Sequence, residues 1–183
     1  MLFLSCERLT SSEIDAIGEI MNISMGSAAT AVSTMLDRQV LITTPSVEQN
    51  TFSDLNFNTL DPAMMVKIQY IQGITGNNVM VFKQKDMQII LNLLMGNDDE
   101  PSDDFVFDEL SMSAAGEVMN QMMGASATAL SEFLGKSINI STPETTIMTA
   151  DMDFGTYMSM SPTDEIVRVS FEMTIDGIMK PTL

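Results

Sequence analysis

The chain contains two copies of one pattern. Residues 15–45, DAIGEIMNISMGSAATAVSTMLDRQVLITTP, align without a gap with residues 113–143, SAAGEVMNQMMGASATALSEFLGKSINISTP. About half of the aligned positions are identical, among them Gly18 and Gly116, Glu19 and Glu117, Asn22 and Asn120, Gly26 and Gly124, and Pro45 and Pro143. The spacing is too long for a solenoid, whose repeats run to roughly 20–50 residues. It points to two related halves packed about a pseudo-twofold axis. With 183 residues the chain can bury one sizeable core or two small ones.

Each half opens with a helix. The first is expected to start near Ser11 or Ser12, with Ile14, Ile17, Met21, Met25, Ala28, Val32 and Leu36 as its buried stripe. The second is expected from Asp108 or Ser111, with Val118, Met122 and Leu130 repeating the stripe. Alternating segments follow at 39–47 and 137–145 and read as strands. The first half continues with strands at 63–73 and 77–84, a turn holding Gly73 and Gly76, and a helix at 85–96 closed by Gly96. The acidic stretch NDDEPSDD (97–104) links the halves. The second half shows a strand at 165–177 and no complete counterpart of the first half's last strand and helix, so it reads as truncated. The opening MLFLSC ends like a lipoprotein cleavage site but lacks a basic segment and a long apolar run. It reads as a short exposed N-terminal tail.

The fold expected is α/β: a single domain of two halves, about 9–96 and 105–183, with a central mixed sheet and the two long helices side by side on one surface.

Asp15, Glu19 and Asn22 stand at i, i+4 and i+7 and share one helix face, read as lying opposite the apolar stripe. Gly26, Ala29 and Ser33 continue that face with small residues. Ser113, Glu117, Asn120, Gly124, Ala127 and Ser131 do the same in the second copy. A polar pair followed by small residues lets a foreign backbone approach. Asparagine has no useful pKa and cannot be a general base, but its amide can orient a water. Glutamate can pair with a partner's lysine. Such a pair suits a hydrolysis whose electrophile and metal come from the partner. A Glu and an Asn on a helix surface are ordinarily just solvated. Here both pairs persist while stripe positions between them differ (Ile17 and Ala115, Ile20 and Val118).

Composition narrows the partners. Eight basic residues against 25 acidic ones give a formal charge of −17, so no basic footprint exists for nucleic acid or anionic lipid. An acidic surface favours a partner with a basic binding face. The chain has no histidine and one cysteine, Cys6, which removes histidine triads, thiolate zinc sites and intrachain disulfides, and fits a reducing cytoplasm. No run reaches the roughly 18 apolar residues of a membrane span, so no membrane insertion is expected.

The pattern Asp or Ser, three residues, Glu, two residues, Asn, twenty-two residues, Pro occurs twice: Asp15, Glu19, Asn22, Pro45 and Ser113, Glu117, Asn120, Pro143. In this the chain resembles the CheC/CheX/FliY phosphatases of bacterial chemotaxis, from Leu9 to about Gly177. CheX-like members match less well. The resemblance implies hydrolysis of the aspartyl phosphate of the response regulator CheY, at the flagellar motor switch. It implies that Glu19 and Glu117 engage a lysine of the regulator and that Asn22 and Asn120 position the attacking water. Asp15, Ser113, Gly26 and Gly124 are expected to support substrate binding. No cofactor of the chain's own is implied, because magnesium belongs to CheY. CheD is a further implied partner, as are the switch proteins FliM, FliN and FliG where a FliN-like domain accompanies this region. No such domain is read in these residues.

Other readings compete. A non-catalytic module could bind CheY-P or CheD without hydrolysis. Glu19 and Glu117 could form a glycosidase-like acid pair, which leaves the asparagines unexplained. The 97–104 stretch lacks the glycine and spaced glutamate of a calcium loop, and GITGNN (73–78) reads as a hairpin rather than a phosphate loop.

Overall fold

Two 26-residue helices dominate the chain, α1 (Ser11–Leu36) and α3 (Glu109–Leu134), packed side by side. The structure is a computed structural model that describes residues 2–5, 8–55, 62–149 and 152–176. Between the helices run β2 (Val40–Ile42), β3 (Ser46–Thr51), β4 (Ala63–Gln72), β5 (Gly76–Lys83) and α2 (Gln84–Leu94). After α3 come β6 (Asn139–Ile140), β7 (Glu144–Met148), α4 (Phe154–Met158), β8 (Glu165–Ser170) and β9 (Met173–Ile175). Leu2–Ser5 forms β1.

Local chemistry explains the helix boundaries. α1 begins at Ser11 as expected, with its cap one residue earlier: Thr10 accepts from the Glu13 N–H, and the Glu13 carboxylate accepts the Thr10 N–H at 2.8 Å, a reciprocal capping box. Asp108 caps α3 by accepting the Ser111 N–H at 2.8 Å. The expected stripe is buried at Met21, Met25, Ala28, Val32 and Leu36, and at Val118, Met122 and Leu130, while Ile14 and Ile17 are half-buried. The segment at 39–47 divides into β2 and β3, and that at 137–145 into β6 and β7, with Pro45 and Pro143 in the two breaks. A proline cannot donate to a ladder, so the edge strand stops there and resumes.

The main sheet runs β3-β8-β1-β5-β4-β6, with β7 also on β4, and β2 pairs with β9. Every described pairing is antiparallel, where a mixed sheet was expected. The reason lies in the symmetry. β4 and β5 form a hairpin, and the other neighbours come from opposite halves. β4 pairs with β7 (Val66 with Thr145), and β8 pairs with β3 (Val169 with Val47). A twofold axis normal to the sheet makes the β3–β8 pair the counterpart of the β7–β4 pair, so the two share one orientation, and it makes the strands that flank the axis, β1 and β5, meet antiparallel.

β1 corrects the reading of the N-terminus as an exposed tail. Leu2, Phe3, Leu4 and Ser5 pair with Val169, Arg168, Val167 and Ile166 of β8. Met80, Val81, Phe82 and Lys83 of β5 pair in the same order with Val66, Met65, Met64 and Ala63 of β4. Since Val169 and Val66 hold equivalent places, β1 stands where the second half's copy of β5 belongs. The pairs Leu2–Met80 and Phe3–Val79 join the halves across the axis. Four short residues gave no periodicity from which this pairing could be read. The last residues expected in the second half, from 177 on, lie outside the described residues.

The helices cover one face of the sheet over a methionine-rich core that includes Met25, Met64, Met87, Met119 and Met122. A smaller cluster on Ala63, Met65, Val81, Met148 and Ile166 lies beneath Phe154, Tyr157 and Met160 around α4, a helix that sequence periodicity did not indicate. The link at 97–104 is tethered: the Ser102 N–H donates to the side-chain Oε1 of the buried Gln88 at 3.1 Å, and Arg38 pairs with Asp98 at 3.1 Å. Among the described residues no helix is long and apolar enough to cross a membrane.

Candidate functional site

Asp15, Glu19 and Asn22 are all exposed on α1. At 100° per residue they fall within about 60° of one another, over about 10 Å of helix. The face they share stands roughly 110° round from the buried stripe rather than opposite to it. It is a flank of the helix.

Ser113, Glu117 and Asn120 are likewise exposed on α3. One turn beyond each asparagine a glycine leaves clear space. A Cβ built on Gly26 or on Gly124 meets nothing within 4 Å. Mid-helix glycine costs about 1 kcal/mol relative to alanine. No internal packing requires it at either position, so both are free to serve contact from outside.

Past the glycines the expected ladder of small residues closes. Ala29 and Ala127 are buried, at 4% and 6% exposure. Ser33 Oγ accepts the Val40 N–H at 2.9 Å, and Ser131 Oγ accepts the Ile138 N–H at 2.9 Å. These serines tie each helix to its own returning strand and are not available to a partner. The open part of each face therefore runs from the Asp or Ser to the glycine. Thr30 and Thr128, both exposed, donate their hydroxyls to the Gly26 and Gly124 carbonyls at 3.0 Å.

Carboxylates at the helix starts are held ionised. Backbone and side-chain bonds with Thr10 lower the pKa of Glu13, and bonds with the Ser111 hydroxyl and N–H lower that of Asp108. They add fixed negative charge within two turns of Asp15 and Ser113. Among the described residues, no group of three or more His, Cys, Asp or Glu is placed to hold a metal ion.

Comparison with known proteins fits this layout. The CheC-like family matches residues 13–48 and 110–147, the two helices with their following strands. The flagellar motor switch phosphatase FliY of Bacillus subtilis (strain 168) is 39% identical over 176 residues, 96% of this chain and 46% of that protein. The CheY-P phosphatase CheC of the same organism is 26% identical over 138 residues, 74% of this chain and 66% of that protein. The crystal structure of Thermotoga maritima FliY superimposes with a TM-score of 0.84 at 39% identity, over 94% of this chain and 88% of that one. This chain belongs to the CheC-like family.

The CheC-like fold extends to more distant proteins. The FliM middle domain of H. pylori matches with a TM-score of 0.73 at 13% identity, over 92% of this chain and 88% of that one, which is a likeness of fold alone. The chain spans about half to two thirds of the two Bacillus relatives, both of which are named phosphatases.

The two CheC-like faces are not copies in every atom. Gln121 Nε2 donates to Glu117 Oε1 at 2.9 Å, and the equivalent place on α1 is Ile23. Sequence reading passed over Gln121, although its i+4 spacing from Glu117 was the available signal. What both faces offer is a carboxylate to attract a cation and, three residues on, an amide that both donates and accepts hydrogen bonds. The asparagine amide is itself neither a nucleophile nor a base.

Proposed function

We propose that the chain is a phosphatase acting on the aspartyl phosphate of the response regulator CheY. The observation that carries this reading is the duplicated, exposed Glu–Asn pair beside open space at Gly26 and Gly124. The names of the Bacillus relatives support it.

In this reading Glu19 or Glu117 attracts a lysine of CheY, and Asn22 or Asn120 reaches into the phosphorylated site. The amide orients a water in line with the phosphorus–oxygen bond. Attack breaks the acyl phosphate, leaves the aspartate carboxylate on CheY and releases inorganic phosphate. An acyl phosphate has a good leaving group, so positioning of the water is the main need. Orientation of that kind is worth on the order of tenfold to a hundredfold in rate, about 1.4–2.7 kcal/mol. Magnesium is held by CheY. Asp15 and Ser113 flank the docking surface, and Gly26 and Gly124 let the partner's backbone approach. CheD, and FliM, FliN and FliG at the flagellar switch, are further proposed partners, in a cytoplasmic setting.

The test is the decay of phosphorylated CheY with and without the chain. Acceleration should fall in Asn22→Ala and in Asn120→Ala and vanish in the double variant. Binding without acceleration would instead favour the non-catalytic docking module.

A further inference from the structure

The α1 and α3 faces agree at Glu19 and Glu117, at Asn22 and Asn120, and at Gly26 and Gly124, yet they differ four residues after each glutamate. On α3 that place is Gln121, exposed, with its Nε2 donating to Glu117 Oε1 at 2.9 Å. On α1 it is Ile23, half-buried, which has no side-chain donor. By helix geometry Gln121 lies on the same flank as Glu117 and Gly124.

We propose that Gln121 is a positioning residue of the α3 site. It presets the Glu117 carboxylate for a cationic group of the phosphorylated partner, so that the α3 site captures that partner more tightly than the α1 site. The inference rests on the phosphatase reading above.

An exposed glutamate is free to turn about three bonds, and a partner that uses it must freeze them at a cost to affinity. Gln121 restrains that motion before the partner arrives. The hydrogen bond occupies one lone-pair site on Oε1 and leaves Oε2 open to a partner's ammonium. The Gln121 amide oxygen remains as a second acceptor beside it. Glu19 has no such restraint from Ile23, whose side chain offers only packing. Asn120 orients the water, and Gln121 does not bond to it. The effect should therefore appear in capture and not in the chemical step.

The experiment uses two single-site proteins and a response regulator phosphorylated on its aspartate by a small phosphodonor. Asn22→Ala leaves the α3 site, and Asn120→Ala leaves the α1 site. In the Asn22→Ala background, Gln121→Ile should raise KM for the phosphorylated regulator about 1.5-fold to twofold, the scale of one i, i+4 side-chain pair, with kcat unchanged. In the Asn120→Ala background, Ile23→Gln should lower KM by a similar factor. A pair that merely stiffened the helix would shift the melting temperature and leave both KM values in place, and that result would overturn the assignment. So would a fall in kcat with KM unmoved. If the parent chain accelerates decay but the KM values do not move, only the role of Gln121 fails. If the parent neither binds the phosphorylated regulator nor accelerates its decay, the phosphatase reading and this inference fall together.

Discussion

The Ser33 hydroxyl holds the backbone of Val40 by both of its polar groups: Oγ accepts the Val40 N–H at 2.9 Å and lies 3.3 Å from its carbonyl oxygen, to which it donates. Ser131 Oγ likewise accepts the Ile138 N–H at 2.9 Å, while its own proton goes to the Ala127 carbonyl at 2.8 Å, with the Ile138 carbonyl farther off at 3.4 Å. Each serine thus fixes the turn by which a motif helix hands the chain to the sheet. Ser33→Ala would leave a half-buried amide without its partner. The expected loss is about 1–2 kcal/mol of stability, read as a lower urea midpoint, with the rate per folded molecule unchanged.

Gly26 and Gly124 should separate stability from activity. Alanine at either place meets nothing within 4 Å and should raise stability by up to about 1 kcal/mol. Leucine at both places should leave the melting temperature at or above that of the parent while cutting dephosphorylation of CheY-P at least about tenfold, because in the proposed reading the partner's backbone takes that space. A double leucine variant with full activity would show that the space has no such use.

Gly73 joins the two halves. Its φ of +88° lies in the left-handed region, and an added Cβ would run into the carbonyl oxygen of Ser137 and the side chain of Ile138. Gly73→Ala combines strain with a backbone clash that neither side can yield cheaply. Thermal unfolding should report a loss of about 2–3 kcal/mol, far more than at Gly26.

Acid should weaken the starts of both motif helices. The pKa of Asp108 is lowered by its Ser111 bonds and that of Glu13 by its Thr10 bonds. A carboxylate whose folded pKa lies below its unfolded one contributes stability that is fully present above the unfolded value. That contribution is lost as pH falls through the folded value, so the window lies below the ordinary carboxylate range. Asp86 acts in the opposite sense, since burial raises its pKa against the pull of Lys83. Asp108→Asn keeps an acceptor for the Ser111 N–H but cannot titrate. It should unfold with a shallower acid dependence than the parent while remaining close to it at neutral pH, as pH-stepped urea titrations would read.

The two helices, their stripes and the polar pairs were legible because a 3.6-residue period and a gapless internal match both speak through local spacing. Met21, Met25 and Val32 fall where that period puts them. Registers between distant strands have no such local signal. The Thr145–Val66 and Val47–Val169 pairings equate the halves only once both are seen, and the antiparallel sheet follows from them. The ladder beyond Gly26 misled for the same reason: Ala29 and Ser33 look smooth along the helix, and only the fold shows that Ala29 enters the core and that Ser33 binds the returning strand. The flank position of Glu19 was hidden by treating polar and apolar faces as simple opposites.

The place of β1 sets an order of events in folding. β4 and β5 can meet through their own short turn, whereas residue 4 finds its partner at residue 167. Contacts so far apart in the chain close late, because the loop entropy must be overcome before they form. Until then the β5 edge and the β8 edge both stand without a neighbour at the centre of the sheet. That interval, rather than the finished surface, is where a strand from another copy would find its opening.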